Sequence, residues 1–221
     1  MMSPQAKLEE QAGPAELRAE LMRMLALGFM HPDAQFHEQI CSGSYQSWLN
    51  QLTLAYIGEP AGLVTVDVCA TDFEAGYIGL FHTGMPGSKS IGLHAGDHDD
   101  MLDGRGRPEF MLDYVNWYKH FGLQVHHGST TSELPDHLVC QFEFLAWLAG
   151  LEATPGHSSE LTSGYRSAQH DFLNLQLLPF LNLLQEALAG VDEIPVTFYQ
   201  TILEFAVAIC KKGRIECHQS R

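Results

Sequence analysis

Apolar residues recur at helical spacing along nearly the whole chain, and that periodicity constrains the fold more than any single motif does. Leu17, Leu21, Met24, Leu25 and Phe29 form an inward stripe on a helix that begins near Pro14. It must stop before His31-Pro32, because the residue ahead of a proline is pushed out of the helical region. Phe36 and Ile40 mark a second, short helix, and Tyr45, Trp48, Leu49, Leu52 and Tyr56 a third. Strand-like alternation is confined to Leu63 through Val68, and the run of Val64-Thr65-Val66 into Phe73, Tyr77, Leu80 and Phe81 at helical spacing decides this stretch for helix as well. Pro108 opens a helix with Phe110, Met111, Tyr114, Trp117, Tyr118 and Phe121, closed near Gly122. A long helical region from about Ser163 to Ala189 should kink or split at Pro179, which lacks an amide donor. A last helix from Pro195 to about Lys211 carries Val196, Tyr199, Leu203, Ala206 and Cys210, with fraying expected beyond Gly213. The expected fold is all-α.

The pattern lapses from Thr83 to Pro108, where Gly84, Pro86, Gly87, Gly92, Gly96, Gly104 and Gly106 punctuate the chain. A connection of this length without periodicity is uncommon inside a domain and is usually mobile or functional. It reads as a Gly-rich hinge loop, about 83–107, joining an N-terminal half (about 14–82) to a C-terminal half (about 108–212) of one helical-bundle domain. Glycine lowers the cost of opening, so exchange of halves between chains is expected as a minor dimer beside a dominant monomer.

Twelve Lys and Arg against 27 Asp and Glu give a formal charge of −15, which disfavours nucleic acid and anionic membrane as partners and favours a basic peptide. Met1 through Gly13 is polar, and no stretch reaches the roughly 18 apolar residues of a membrane span, so a cytoplasmic location without stable membrane association is expected. Cys41, Cys69, Cys140, Cys210 and Cys217 are scattered and contain no Cys-x-x-Cys pair; free, mostly buried thiols are expected, and thiolate zinc is not.

The most informative short run is Glu133-Leu134-Pro135-Asp136-His137, which sets an acid and an imidazole side by side at the start of an amphipathic helix. Ser132 is the expected N-cap, with Glu133, Pro135 and Asp136 in the first turn, where unpaired amides favour anions and a proline needs no donor. Leu138, Phe142, Leu145 and Ala149 line one face of this helix; Asp136, His137, Cys140, Glu143, Phe144 and Trp147 share another, expected to be a working surface.

Together with Tyr77-Ile78-Gly79-Leu80-Phe81, Glu143-Phe144-Leu145, Gln169-His170-Asp171-Phe172-Leu173 and Leu177-Leu178-Pro179-Phe180, this block resembles the cytoplasmic chaperones that mature molybdenum oxidoreductases of the dimethyl sulfoxide reductase type, above all those encoded beside type II enzymes. The resemblance runs from roughly Leu63 to Leu188. Where many relatives carry Leu-Tyr-Glu-Ser ahead of the Asp-His helix, this chain reads Leu93-His94-Ala95-Gly96. The resemblance implies a non-enzymatic, helical, system-specific chaperone without cofactor, metal or catalytic residue. Its partner is the catalytic subunit of a molybdenum oxidoreductase, bound through a twin-arginine leader or as the apo-enzyme until the molybdenum cofactor is inserted and export can proceed. A twin-arginine leader presents guanidinium groups and then an apolar stretch, so its binder needs carboxylates beside an apolar groove. Glu133, Asp136 and Glu143 would supply charge, Tyr77, Phe81, Phe144 and Trp147 apolar surface, and His137 would orient Asp136 or bond the peptide backbone. For Tyr77 and Phe81 simple core packing is an equally good account.

Other constellations carry less. His94-Ala95-Gly96-Asp97-His98-Asp99-Asp100 is dense in ligand atoms but reads as a solvated acidic loop, since it lacks rigid support and a second shell. Gly84-Met85-Pro86-Gly87-Ser88-Lys89-Ser90 lacks the Gly-Lys-Ser/Thr adjacency and the preceding strand of a phosphate loop. Two alternatives to a transient chaperone stand: a helical metal-dependent phosphohydrolase built on His170 and Asp171 with His126 or His127 and Asp192, and an accessory subunit that stays in its complex.

Overall fold

Three of the helices begin on a side chain that accepts from an otherwise unpaired first-turn amide: Asp33, His137 and Ser158. In the computed structural model, which describes residues 12–59, 62, 66–85, 87, 89–123, 134–189, 191 and 194–219, α1 (Pro14–Phe29) starts on Gly13, whose amide donates to Glu16 Oε2 at 2.7 Å. Asp33 caps α2 (Ala34–Cys41) by accepting from the Phe36 amide at 2.7 Å, and α3 (Ser44–Ile57) ends on Gly58 at φ 91°, a left-handed turn that suits glycine. α4 (Ala70–Ile78) runs into a π-helical turn at Gly79–Thr83. Then come a 3-10 turn at Ala95–Asp97, the short α5 (Asp99–Leu102) and α6 (Arg107–His120) with Pro108 in its first turn. α7 (Leu138–Ala153), α8 (Ser159–Phe172), α9 (Leu178–Leu188) and α10 (Ile194–Gln219) complete the chain. Among the described residues there is no strand, only a bridge between His94 and His137, and no helix is long and apolar enough to cross a membrane.

The all-α expectation holds, with local corrections. Val66 to Cys69 is not helical, because α4 starts only at Ala70; the rest of the ambiguous stretch, residues 63–65, lies outside the described residues. Pro179 does split its helix, and the break precedes it: Leu178 donates to Leu173 O across a widened turn at Leu173–Leu177. A proline has no amide for a bond to the carbonyl four residues back and its ring crowds that carbonyl, so the preceding turn opens. α10 continues past Gly213 to Gln219 instead of fraying. The cause is tertiary: Cys217 is buried and Glu216 is tied into an ion-pair network with Arg18. All five thiols are free, but only Cys210 and Cys217 are buried, while Cys41 and Cys69 are exposed.

α1 lies along α7 in the most extensive helix pairing, α8 packs on the other flank of α7, and α10 crosses against α1, α4, α8 and α9. The aromatic centre draws on both sides of the expected hinge. Phe29 meets Phe142 at 6.1 Å and Tyr199 at 5.9 Å between ring centroids, and Phe81 meets Tyr199 at 5.0 Å. Burying each such ring contributes about 2–3 kcal/mol, with edge-to-face contacts adding to it. The segment after the π turn is not a structureless loop: Leu93, Ala95 and Met101 are buried in this same core.

Candidate functional site

α7 begins five residues later than a cap at Ser132 would place it, with His137 in place of Ser132 at the N-cap, and the reason defines the site. His137 is the N-cap residue: its Nδ1 accepts from the Val139 amide at 3.2 Å, which makes it the acceptor nitrogen and puts the ring proton on Nε2. Pro135 and Asp136 therefore form a turn ahead of the helix, held by backbone pairing to the segment beside it. Ala95 donates to Asp136 O at 3.1 Å, and Leu138 donates to Leu93 O at 2.8 Å. Tyr118 on α6 donates its hydroxyl to Pro135 O at 2.6 Å, and Gln141 Nε2 donates to Asp136 O at 2.9 Å.

The Asp136 carboxylate, fully buried, closes this junction. Oδ2 accepts from the Gly96 amide at 2.9 Å and Oδ1 from His94 Nδ1 at 3.3 Å. Burial works to raise the carboxyl pKa, yet the His94 and Gly96 hydrogen bonds and the charges of His94 and Arg107 outweigh it and hold the group below its ordinary value. The neighbouring His137 is shifted in the same direction, which for an imidazole favours the neutral form. Burial, reinforced by His94, pushes its pKa down to about 3, consistent with a neutral ring that accepts from an amide. Its ring stands edge-on to that of His94 at 4.7 Å. The glycine is required here: a Cβ on Gly96 would lie 2.9 Å from Asp136 Oδ2 and 3.2 Å from Arg107 Cγ.

The residues expected to form one peptide groove are not brought together. Tyr77 and Phe81 are buried around Tyr199, with the Tyr77 hydroxyl donating to Phe29 O at 3.1 Å. Phe144 is buried in a different aromatic cluster, 4.8 Å from Tyr118 and 4.9 Å from Phe172 between ring centroids. Asp136 and His137 are interior as well, so the second face of α7 is not the open working surface that its spacing suggested. α7 is covered by α1 on one side and by α8 on another, which buries most of its circumference. Glu143 and Trp147 alone among the expected site residues described are exposed, one turn apart on α7. Glu133 and Ser132 lie outside the described residues, as do His126, His127 and Asp192 of the phosphohydrolase alternative. His170 and Asp171 are bonded to each other, Nδ1 to Oδ1, at 3.0 Å.

His94 and Gly96 are the residues of the junction that periodicity does not mark; Tyr118 was marked as part of an apolar stripe, but not as a donor to Pro135 O. The available signal was the replacement stretch Leu93-His94-Ala95-Gly96 itself, which packs directly on the Asp-His block rather than apart from it.

The model of the nitrate reductase delta subunit family matches residues 50–186, from α3 through α9, and the chain belongs to that family. Among curated proteins it is similar to the dimethyl sulfide dehydrogenase assembly chaperone protein of Rhodovulum sulfidophilum, at 34% identity over 80% of this chain and 71% of that protein. The perchlorate reductase assembly chaperone protein of Dechloromonas aromatica (strain RCB) is 25% identical over 86% of this chain and 84% of its own length. The selenate reductase assembly chaperone protein of Thauera selenatis is 28% identical over 72% and 75%.

Proposed function

We propose that this protein is a dedicated assembly chaperone for the catalytic subunit of a molybdenum oxidoreductase, acting in the cytoplasm before that subunit is exported. The observation that carries the reading is similarity, over most of both lengths, to proteins named as assembly chaperones of four different oxidoreductases. Five free thiols suit a reducing compartment. The decisive experiment co-expresses the client subunit with and without this chain and measures its molybdenum content and activity. Both should fall without the chaperone, and an unchanged client would remove the reading.

For recognition of a twin-arginine leader, the exposed pair Glu143 and Trp147 is the proposed contact, with a carboxylate for a guanidinium and an indole for the apolar stretch beside it. Asp136 and His137 serve as positioning residues: they hold the segment at 91–98 against the start of α7 and so fix the surface around that pair. Calorimetry with the client's leader peptide tests the assignment. Glu143→Gln should cost on the order of 1.5–3 kcal/mol of affinity. Unaltered binding by both Glu143→Gln and Trp147→Ala would exclude this face.

A further inference from the structure

His170 and Asp171, conspicuous in the sequence, are not used by the reading above, and they border a feature of their own. A cavity of about 290 Å³ opens between the end of α8 and the last turns of α10, lined by His170, Asn174, Arg214, Ile215 and His218. The two imidazoles face each other at 5.2 Å between centroids. Arg214 Nη1 donates to Asn174 Oδ1 at 3.2 Å, which fixes the guanidinium at the cavity wall. His170 gives its Nδ1 to Asp171 at 3.0 Å, which orients the ring and leaves Nε2 as its remaining nitrogen.

Two further observations set this place apart. Asn174 sits in the π-helical turn Leu173–Leu177, the turn that opens ahead of Pro179, and single π turns inside α-helices are frequent at functional sites. The charge is also unusual. In a chain of net −15, Arg214 is, among the described residues, the one permanently charged side chain lining the cavity and no carboxylate lines it, Asp171 lying behind His170, while the neighbouring Lys212 turns away to Tyr56 and Glu216. A guanidinium in the wall disfavours a metal ion on the imidazole pair and favours an anion.

We propose that this cavity binds a small oxyanion, the phosphate or carboxylate group of a ligand, gripped by Arg214 and the imidazoles of His170 and His218, with Asn174 as the positioning residue for the guanidinium. The site is separate from the Asp136 junction, and it does not depend on the chaperone reading. Ile215, exposed at the rim, offers an apolar contact to whatever carries the oxyanion.

Titration of the isotope-labelled full chain, followed by amide NMR, distinguishes the sources. Sodium pyrophosphate and, separately, a blocked Leu-Glu dipeptide serve as probes. One of them should saturate with shifts centred on His170, Asn174, Arg214 and His218, and Arg214→Gln should weaken that binding at least tenfold, as should His170→Gln combined with His218→Gln. Lys119→Gln, an exposed change on α6, should leave it unaltered. Saturation by pyrophosphate alone assigns a phosphate ligand, and by the dipeptide alone a carboxylate. The proposal is overturned if neither probe saturates, if Arg214→Gln binds as well as the unaltered chain, or if zinc sulfate alone saturates the same residues. Arg214 is only half-buried, and unchanged far-ultraviolet dichroism verifies that its variant is folded.

Discussion

Arg18 carries its charge inside the bundle, and each of its guanidinium nitrogens has a partner on a different helix. Nε donates to Gln169 on α8 at 2.9 Å, Nη2 to Glu152 on α7, and Nη1 to Glu216 on α10 at 3.2 Å. Glu152, equally buried, also accepts from Arg166 Nε at 2.7 Å, and Glu216 accepts from the Tyr56 hydroxyl at 2.7 Å. Burying such a network is costly in itself, but removing one member strands the rest. Arg18→Met should therefore destabilise the protein by about 3–5 kcal/mol in urea unfolding. Arg18→Lys should recover only part of that, because one ammonium cannot reach three helices as a planar fork does. His137 is the other interior group with a marked consequence. With a folded pKa near 3 against an ordinary value of about 6.5, the unfolded chain takes up a proton that the folded chain refuses. Its contribution to stability is complete above pH 6.5 and falls as pH drops toward 3, reaching a loss of about 3 kcal/mol by pH 4. His137→Asn keeps an acceptor for the Val139 amide and removes the titration, so the stability of that variant should fall less between pH 7 and pH 4. A slope as steep as before would assign the acid sensitivity to other groups.

At the level of elements, the clasped segment makes the sharpest expectation. The amides of Ala95, Gly96 and Leu138 bond to Asp136 O, Asp136 Oδ2 and Leu93 O, so they should exchange hydrogen slowly in the free protein. Gly96→Ala forces a methyl toward the Asp136 carboxylate; it should cost about 1–3 kcal/mol and speed exchange at all three positions. Rapid exchange there in the unaltered chain would restore the mobile hinge that the glycine-rich composition suggests. These same elements mark the limit of what the sequence makes legible. α1 and α6 were readable with nearly correct ends, and α2 and α3 by their apolar stripes alone, because a stripe, a proline and a glycine act within a few residues of each other. The start of α7, the docked 91–102 stretch and the last turns of α10 were not, because each is settled by a partner far along the chain: Gly96 for Asp136, Leu93 for Leu138, Arg18 for Glu216. The Asp-His block stood out as the centre of interest, but spacing alone cannot say that a carboxylate at a helix start turns inward. Helical periodicity likewise cannot separate Phe144, enclosed by Tyr118 and Phe172, from the exposed Trp147 one turn away.

For the whole molecule, the question is whether the chain behaves as two halves or as one unit. The proposed boundary near residues 83–107 separates Phe73, Tyr77 and Phe81 from Tyr199, yet those rings pack against Tyr199: Phe73 stacks at 5.9 Å between centroids, Tyr77 is tilted at 5.9 Å and Phe81 is edge-on at 5.0 Å. α1 likewise leans along α7, and Arg18 joins the first helix to the last. Separating the halves would expose these rings at about 2–3 kcal/mol each and strand the Arg18 charges together, so neither half has a reason to persist alone. We expect a single cooperative transition. Three tryptophans make the test direct: Trp48 on α3 reports one side of the boundary, and Trp117 on α6 and Trp147 on α7 report the other. Single-tryptophan variants, with the other two indoles replaced by Phe, should unfold in urea at one midpoint, coincident with the loss of helical dichroism. Separate midpoints for the Trp48 reporter and the Trp117 or Trp147 reporters would establish two independently unfolding halves, and with them the exchange of halves between chains.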